Sequence, residues 1–293
     1  MACSSVTASM TGKTCVVTGA NTGIGKAAAL ALAQLGATVV IVCRNAERGA
    51  AARDEIERAA RAAGRGGSVS LELADLSSQM EVRGLAERVI AAHPSIDVLV
   101  NNAGVALRRR ELTVDGVERT FAVNYLAYVL LARLLLPALT AAAQSHGEAR
   151  IVNVASGAHG AIKALDFANL QGEKRYTDFG AYALSKLADI MFTYTLARRL
   201  AGSGITVNTL HPGVVATEIW RQVPILRSIA KIFMLSPEKG ARTTVYLAAS
   251  PEVRGVTGTY FAKCAPAKST ALSRDEKLQE QLWTATESLL AQH

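Results

Sequence analysis

The octapeptide "TGANTGIG", residues 18–25, constrains the fold of this chain more than any other stretch. It joins an apolar, β-branched run, "KTCVVTG", to an alanine- and leucine-rich run, "GKAAALALAQLG". The first run suits a buried strand and the second a helix ended by Gly36. Gly19, Gly23 and Gly25 permit a tight turn and close backbone approach. A helix that starts at such a turn points its unpaired N–H groups and its positive dipole end outward, which suits a diphosphate. Asn21, Thr22 and Ile24 share the turn and are candidate contacts to it. The spacing is G-x-x-x-G-x-G, not the commoner G-x-G-x-x-G, so its place between strand and helix carries the inference.

The same alternation continues along the chain. Strands are expected at 37–44, 68–76, 97–104, 149–157 and 204–213, with a short last one in "GTYF". Helices are expected at 46–63, 78–93, 118–144, 180–201 and 237–249. Such alternation predicts an α/β fold: a single doubly wound, Rossmann-type parallel sheet with helices on both faces. No repeat, linker or composition break divides residues 1–293, so one domain is expected. The stretches 157–179, 212–236 and the tail after Tyr260 read as irregular.

Composition narrows the class. Half of the 293 residues are hydrophobic, enough for a large core and too many for a disordered chain. The net charge of +8 suits phosphate-bearing ligands or an anionic surface. Arg108, Arg109 and Arg110 form a basic run, but no aromatic interleaving marks a base-stacking surface, so no nucleic-acid partner is expected. Cys3, Cys15, Cys43 and Cys264 lack ligand-like spacing and read as reduced thiols, with neither a disulfide framework nor a metal site. The N-terminus lacks the basic and apolar regions of a signal peptide, and the apolar stretch from Phe121 is interrupted by Asn124, Arg133 and Pro137. No transmembrane span and a cytoplasmic location are therefore expected.

The end of the second strand bears on the cofactor. An NAD site usually places an acid there to bond the ribose hydroxyls. This chain has Cys43-Arg44-Asn45, with Arg48 a turn later. A guanidinium cannot accept a hydroxyl proton but pairs well with a 2′-phosphate, so NADP(H) is expected. Asp75, next to Leu76 after the third strand, can accept from an adenine amino group. Asn102, Ala103 and Gly104 of "NNAG" end the fourth strand at the ligand-binding edge of such a sheet, where the asparagine also serves to fix the sheet.

Tyr182 and Lys186 in "AYALSKLADI" stand four residues apart, on one helical face. Together with "TGANTGIG", "NNAG", Asn124 in "VNYL" and Ser156 in "VNVASG", in this order and spacing, they make the chain resemble the short-chain dehydrogenase/reductase family. "LDFANLQGEKRYTDFGAYALSKLADIMFTYTLARRL", "HPGVVATE" and "GTYF" are similar to the retinol dehydrogenase/retinal reductase branch. Vertebrate members of that branch carry an N-terminal membrane anchor, and none is expected here. Tyr125 and Tyr128 stand where the branch often has histidines, and Ala155-Ser156 where it often has two serines.

The resemblance implies carbonyl–alcohol chemistry. A proton donor must reach the carbonyl oxygen as hydride arrives. Tyrosine gives its proton up reluctantly near neutrality, and a nearby ammonium favours the phenolate. Tyr182 is thus the expected acid in reduction and base in oxidation, tuned by Lys186. Ser156 can donate to the same oxygen. By resemblance, Lys186 also holds the nicotinamide ribose, Asn124 supports a water relay to Lys186, and Val215 and Thr217, beyond the Pro212-Gly213 turn, meet the carboxamide.

Residues 224–235, "PILRSIAKIFML", place Ile225, Leu226, Ile229, Ile232 and Phe233 on one helical face, rimmed by Arg221, Arg227 and Lys231. A lid over 214–236 above a lipophilic aldehyde, ketone or alcohol is expected. A basic amphipathic helix equally suits peripheral membrane contact or docking on the core. Family members commonly form homodimers through the helices around 118–144 and 180–201. Competing readings are an NADP(H)-binding redox sensor without turnover, a reductase of a polyketide-type ketone, and an NAD-dependent oxidising enzyme.

Overall fold

Alternate residues of the central strands feed two different helix layers. In the first strand Val16 faces one layer while Cys15 and Val17 face the other. The computed structural model describes residues 7–213 and 235–291. Its strands are β1 (Thr14–Thr18), β2 (Thr38–Cys43), β3 (Ser68–Leu73), β4 (Val98–Asn101), β5 (Ala149–Val154), β6 (Ile205–His211), β7 (Thr259–Ala262) and β8 (Ala265–Pro266). They form one sheet of order β3-β2-β1-β4-β5-β6-β7-β8. All neighbours pair in parallel except β7 and β8, which are antiparallel. The strand order reverses between β1 and β4, the kind of switch point at whose strand carboxyl ends such sheets bind ligands in a crevice.

The helices are α1 (Gly23–Gln34), α2 (Ala46–Ala63), α3 (Gln79–Ala92), α4 (Arg119–Leu134), α5 (Leu136–His146), α6 (Asp178–Arg199), α7 (Pro237–Ala249) and α8 (Glu276–Leu290). One core contains Leu32 of α1, Ile56 of α2 and Leu247 of α7. The other contains Leu85 of α3, Tyr125 and Leu131 of α4, Met191 of α6 and Leu282 of α8.

Two expectations about secondary structure need correction. Residues 118–144 are not one helix. A π-helical turn spans Ala122–Leu126, and the axis bends by 57° between Leu134 and Leu136. Pro137 cannot donate an N–H, and its ring excludes the carbonyl four residues back, so α5 starts afresh with proline in its first turn. The tail after Tyr260 is not irregular throughout. Asp275 caps α8 by accepting from the Leu278 N–H, and Leu278, Leu282 and Leu289 recur on the face that packs on the core. Trp283 stacks on Phe192, and Tyr125 Oη lies 2.7 Å from Thr286 Oγ1.

The thiols divide. Cys15 and Cys43 are free and sit in apolar strands, but Cys264, at the β7–β8 turn, is disulfide-bonded, against the expectation of reduced thiols throughout. Among the described residues no single helix is long and apolar enough to cross a membrane.

Candidate active site

The crevice begins at the glycine turn. α2, α3, α6, α7 and α8 are capped by the side chains of Asn45, Ser78, Thr177, Ser236 and Asp275, each of which accepts a backbone N–H of its helix. α1 has no such cap: Thr22 is extended, caps nothing, and no acid lies in the first turn. Its leading N–H groups are therefore open to an outside anion. Gly19 has φ +66°, and a Cβ there would lie 2.8 Å from Ala103 Cα. A Cβ on Gly25 would collide with Asn102 Nδ2 and the Gly19 carbonyl. Ile24 is buried, Asn21 is half-buried and Thr22 is exposed. This backbone cradle fits the diphosphate of a dinucleotide. Asn102 locks it, donating Nδ2–H to the Thr18 carbonyl at 2.9 Å, while Thr18 Oγ1 accepts from the Asn102 and Ala103 N–H groups. Gly104 continues along the same edge. One residue earlier, Asn101 donates to Asn153 Oδ1 within the sheet.

Arg44 and Asp75 meet at the ends of β2 and β3, with Arg44 Nη1 3.7 Å from Asp75 Oδ2. Burial works to raise the Asp75 carboxyl, but Ser77 hydrogen bonds and the Arg44 and Arg119 guanidiniums outweigh it and hold it below the ordinary range. The Arg44 side chain is 66% exposed, so it can turn toward a ligand. Leu76 packs against the core beside them and lines a small hollow with Ser77, Gln79 and Asp115.

The second half of the crevice centres on α6. Tyr182 and Lys186 are 7% and 3% exposed, at the carboxyl edge of the sheet. Lys186 Nζ donates to the Val154 carbonyl at 3.0 Å and to Asp189 Oδ2 at 2.8 Å, and sits 5.0 Å from the Tyr128 ring centre. Burial disfavours the ammonium, but the Asp189 carboxylate and the Tyr128 and Tyr182 phenols override it and hold the pKa above its usual value. The Tyr128 hydroxyl donates to the Ala103 carbonyl at 2.7 Å, so one side chain supports both halves of the site.

Asn124 lies in the π-helical turn, fully buried. Its Oδ1 accepts the Val105 N–H at 2.7 Å, and Nδ2 donates to the Val105 carbonyl and to Ser185 Oγ. Both amide protons are thus committed to clamping the loop after β4 against α6. Ser156 follows β5, and its Oγ accepts the Ala158 N–H of a 3-10 turn that packs on α6.

Two histidines to which the sequence assigns no role hold this turn. His159 Nδ1 lies 2.7 Å from the Ser156 carbonyl and so carries the proton. His211 Nδ1 accepts the Gly157 N–H at 3.0 Å. Burial pushes both imidazoles below their ordinary pKa, so each is neutral near pH 7; the Ser156 carbonyl opposes this at His159, while His159 and Lys263 reinforce it at His211. Asp189 was missed entirely. The signal was an acid seven residues after Tyr182 on the same helical face. Pro212 and Gly213 extend the edge, with Leu235 packed over Gly213 at φ +90°. Val215, Thr217 and the expected lid helix up to Met234 lie outside the described residues. Among the described residues no group of three or more His, Cys, Asp or Glu side chains is placed to hold a metal ion.

Comparison with known proteins agrees with this geometry. Residues 13–225 match the model of the short chain dehydrogenase family. The chain belongs to that family. It is 38% identical to human retinol dehydrogenase 14, over 96% of this chain and 87% of that protein. A solved structure of an uncharacterised protein from Mycobacterium paratuberculosis superposes with a TM-score of 0.79 at 30% identity, covering 99% of this chain and 97% of that one. The Pseudomonas aeruginosa RhlG/NADP active-site complex superposes with a TM-score of 0.68 at 28% identity, covering 86% and 95%. The chain is thus a short-chain oxidoreductase of the retinol dehydrogenase-like branch.

Proposed function

We propose that this protein is an NADP(H)-dependent carbonyl reductase and alcohol dehydrogenase acting on a lipophilic aldehyde or ketone of retinal-like character. The observation that carries the chemistry is the buried Tyr182–Lys186 helical turn at the sheet edge, one wall away from the uncapped start of α1. NADPH supplies the hydride when bound. Tyr182 gives its hydroxyl proton to the carbonyl oxygen, Ser156 donates a hydrogen bond to the same oxygen, and Lys186 favours the phenolate that remains. In alcohol oxidation Tyr182 takes the proton back. Arg44 supports the phosphorylated cofactor, because its guanidinium stands where a ribose-binding acid would favour NAD. The resemblance to human retinol dehydrogenase 14 supports a lipophilic substrate.

The test is NADPH oxidation screened against retinal, aliphatic aldehydes and aromatic ketones. Tyr182→Phe, which keeps the ring and removes the proton, should lower turnover roughly 10²–10⁴-fold on whichever substrate is accepted. Unchanged turnover would refute the assignment of the proton donor. A wild type active on none of the carbonyls, although it binds NADPH, would favour the sensor reading.

A further inference from the structure

Asp189 completes a row with Tyr182 and Lys186: the positions i, i+4 and i+7 share one face of α6. Its side chain is 0% exposed and its Oδ2 accepts from Lys186 Nζ at 2.8 Å. Its other oxygen, Oδ1, is buried and has no hydrogen-bond partner among the described residues. The carboxylate therefore depends chiefly on Lys186. Around the pair stand Tyr182 on α6, Tyr128 and, farther out, Tyr125 on α4, the Val154 carbonyl of β5, and Glu287 of α8 beyond Tyr125. The Asp189 backbone carbonyl accepts from Thr193 Oγ1, which in turn accepts from Asn153 Nδ2. A buried pair of this kind is costly to desolvate and offers little net stability.

Resting on the reading of Tyr182 as proton donor, we propose that Asp189 is a positioning residue that sets the charge balance of the Tyr182–Lys186 pair and holds Tyr182 in its protonated, donating form. The argument is one of charge. Burial pushes the Asp189 carboxyl above its ordinary range although Lys186 pulls it back down, so it is ionised in the alkaline range where a phenol titrates. There, with Lys186 charged, the three side chains carry no net charge while Tyr182 keeps its proton. Ionising Tyr182 then creates a net negative charge in a buried place, which burial disfavours. Without the carboxylate the set starts net positive, and loss of the same proton makes it neutral. The proton therefore leaves at higher pH when Asp189 is present. This sign holds whichever of Tyr182 and Lys186 gives up the proton, because the two titrate as a unit. Asp189 thus biases the enzyme toward carbonyl reduction, where an intact phenol is required, and shifts alcohol oxidation to more alkaline conditions.

The experiment is a spectrophotometric phenolate titration of the full chain, which needs no substrate and is distinct from the carbonyl screen. Wild type and Asp189→Asn are each measured against the same protein carrying Tyr182→Phe, so that the difference isolates this site. The transition in Asp189→Asn should lie at least one pH unit below that of wild type, a tenfold change in the ionisation constant. Asp189→Ser repeats the measurement should the amide disturb folding. A resolved transition in either variant beside a wild-type site that stays protonated until unfolding counts as the same shift. An equal or higher transition in the folded variants overturns the proposal, and so does the absence of any transition dependent on Tyr182 in all of them. A purely structural role for Asp189 would lower the melting temperature and leave the ionisation where it was.

Discussion

Arg44 shows what a single residue can carry here and what its neighbours add. Its identity alone argued for a 2′-phosphate, and the structure adds that Asp75 lies 3.7 Å from it. A charge-assisted hydrogen bond to an anion is worth about 1.5–3 kcal/mol, or roughly ten- to a hundredfold in affinity. Arg44→Ala should therefore raise the KM for NADPH by about that factor while the KM for NADH stays within about twofold. Paired steady-state kinetics with the two cofactors check this, and an equal loss for both would show that Arg44 only supports the strand end. Asn124, Ser156, Tyr182 and Lys186 were legible because motif spacing survives in one dimension. Asp189 was not, because an acid three residues after a lysine reads as an ordinary solvated pair until burial is known. His159 and His211 were invisible as holders of the turn after Ser156 for a related reason: His159 lies within that 3-10 turn, His211 lies 52 residues later at the end of β6, and only the fold brings them together.

At the level of elements, strands with both neighbours in place announce themselves and covering helices do not. The runs that became β1, β2, β4, β5 and β6 are rich in β-branched apolar residues and buried on both faces, as interior parallel strands are. α8 escaped because its apolar positions are few and its polar residues have partners of their own. Arg133 pairs with Glu287 at 2.6 Å, Arg199 pairs with Glu280 at 2.6 Å, and Arg199 lies over the Trp283 ring. These exposed pairs contribute little, so the hold of α8 on the molecule rests on its apolar face. Leu282, 1% exposed, is the centre of that face. Leu282→Ala should cost about 2–5 kcal/mol, read as a fall in the urea midpoint with the slope unchanged. A loss below about 0.5 kcal/mol, the range of ordinary surface changes, would mean that α8 is peripheral to the fold. The break at Leu135 has the opposite history. Pro137 was visible in the sequence, but the apolar run on both sides outweighed it, and only the 57° bend shows that proline prevailed.

For the molecule as a whole, sheet order and charge act together. Placing β1 beside β4 brings the glycine turn, Asn102 and Tyr128 together, so the proposed diphosphate site and the proposed proton donor share a wall. A net charge of +8 favours an anionic cofactor before any contact forms, and the phosphorylated nucleotide most of all. Binding to the folded chain alone must then raise its stability, by about 2.7 kcal/mol at a hundredfold excess over Kd. For a chain of this size that corresponds to a rise in Tm of roughly 5 °C. NADP+ should give this rise at a concentration where NAD+ gives much less, and added salt should narrow the gap by screening the exposed Arg44. Gly25→Ala should abolish the response to both nucleotides, because its Cβ would strike Asn102 and the Gly19 carbonyl that shape the phosphate cradle. Thermal melts of wild type, Arg44→Ala and Gly25→Ala with each nucleotide separate the two contributions. If NAD+ stabilises wild type as much as NADP+ does, the basic charge and Arg44 are surface features, and the cofactor preference inferred from them is wrong.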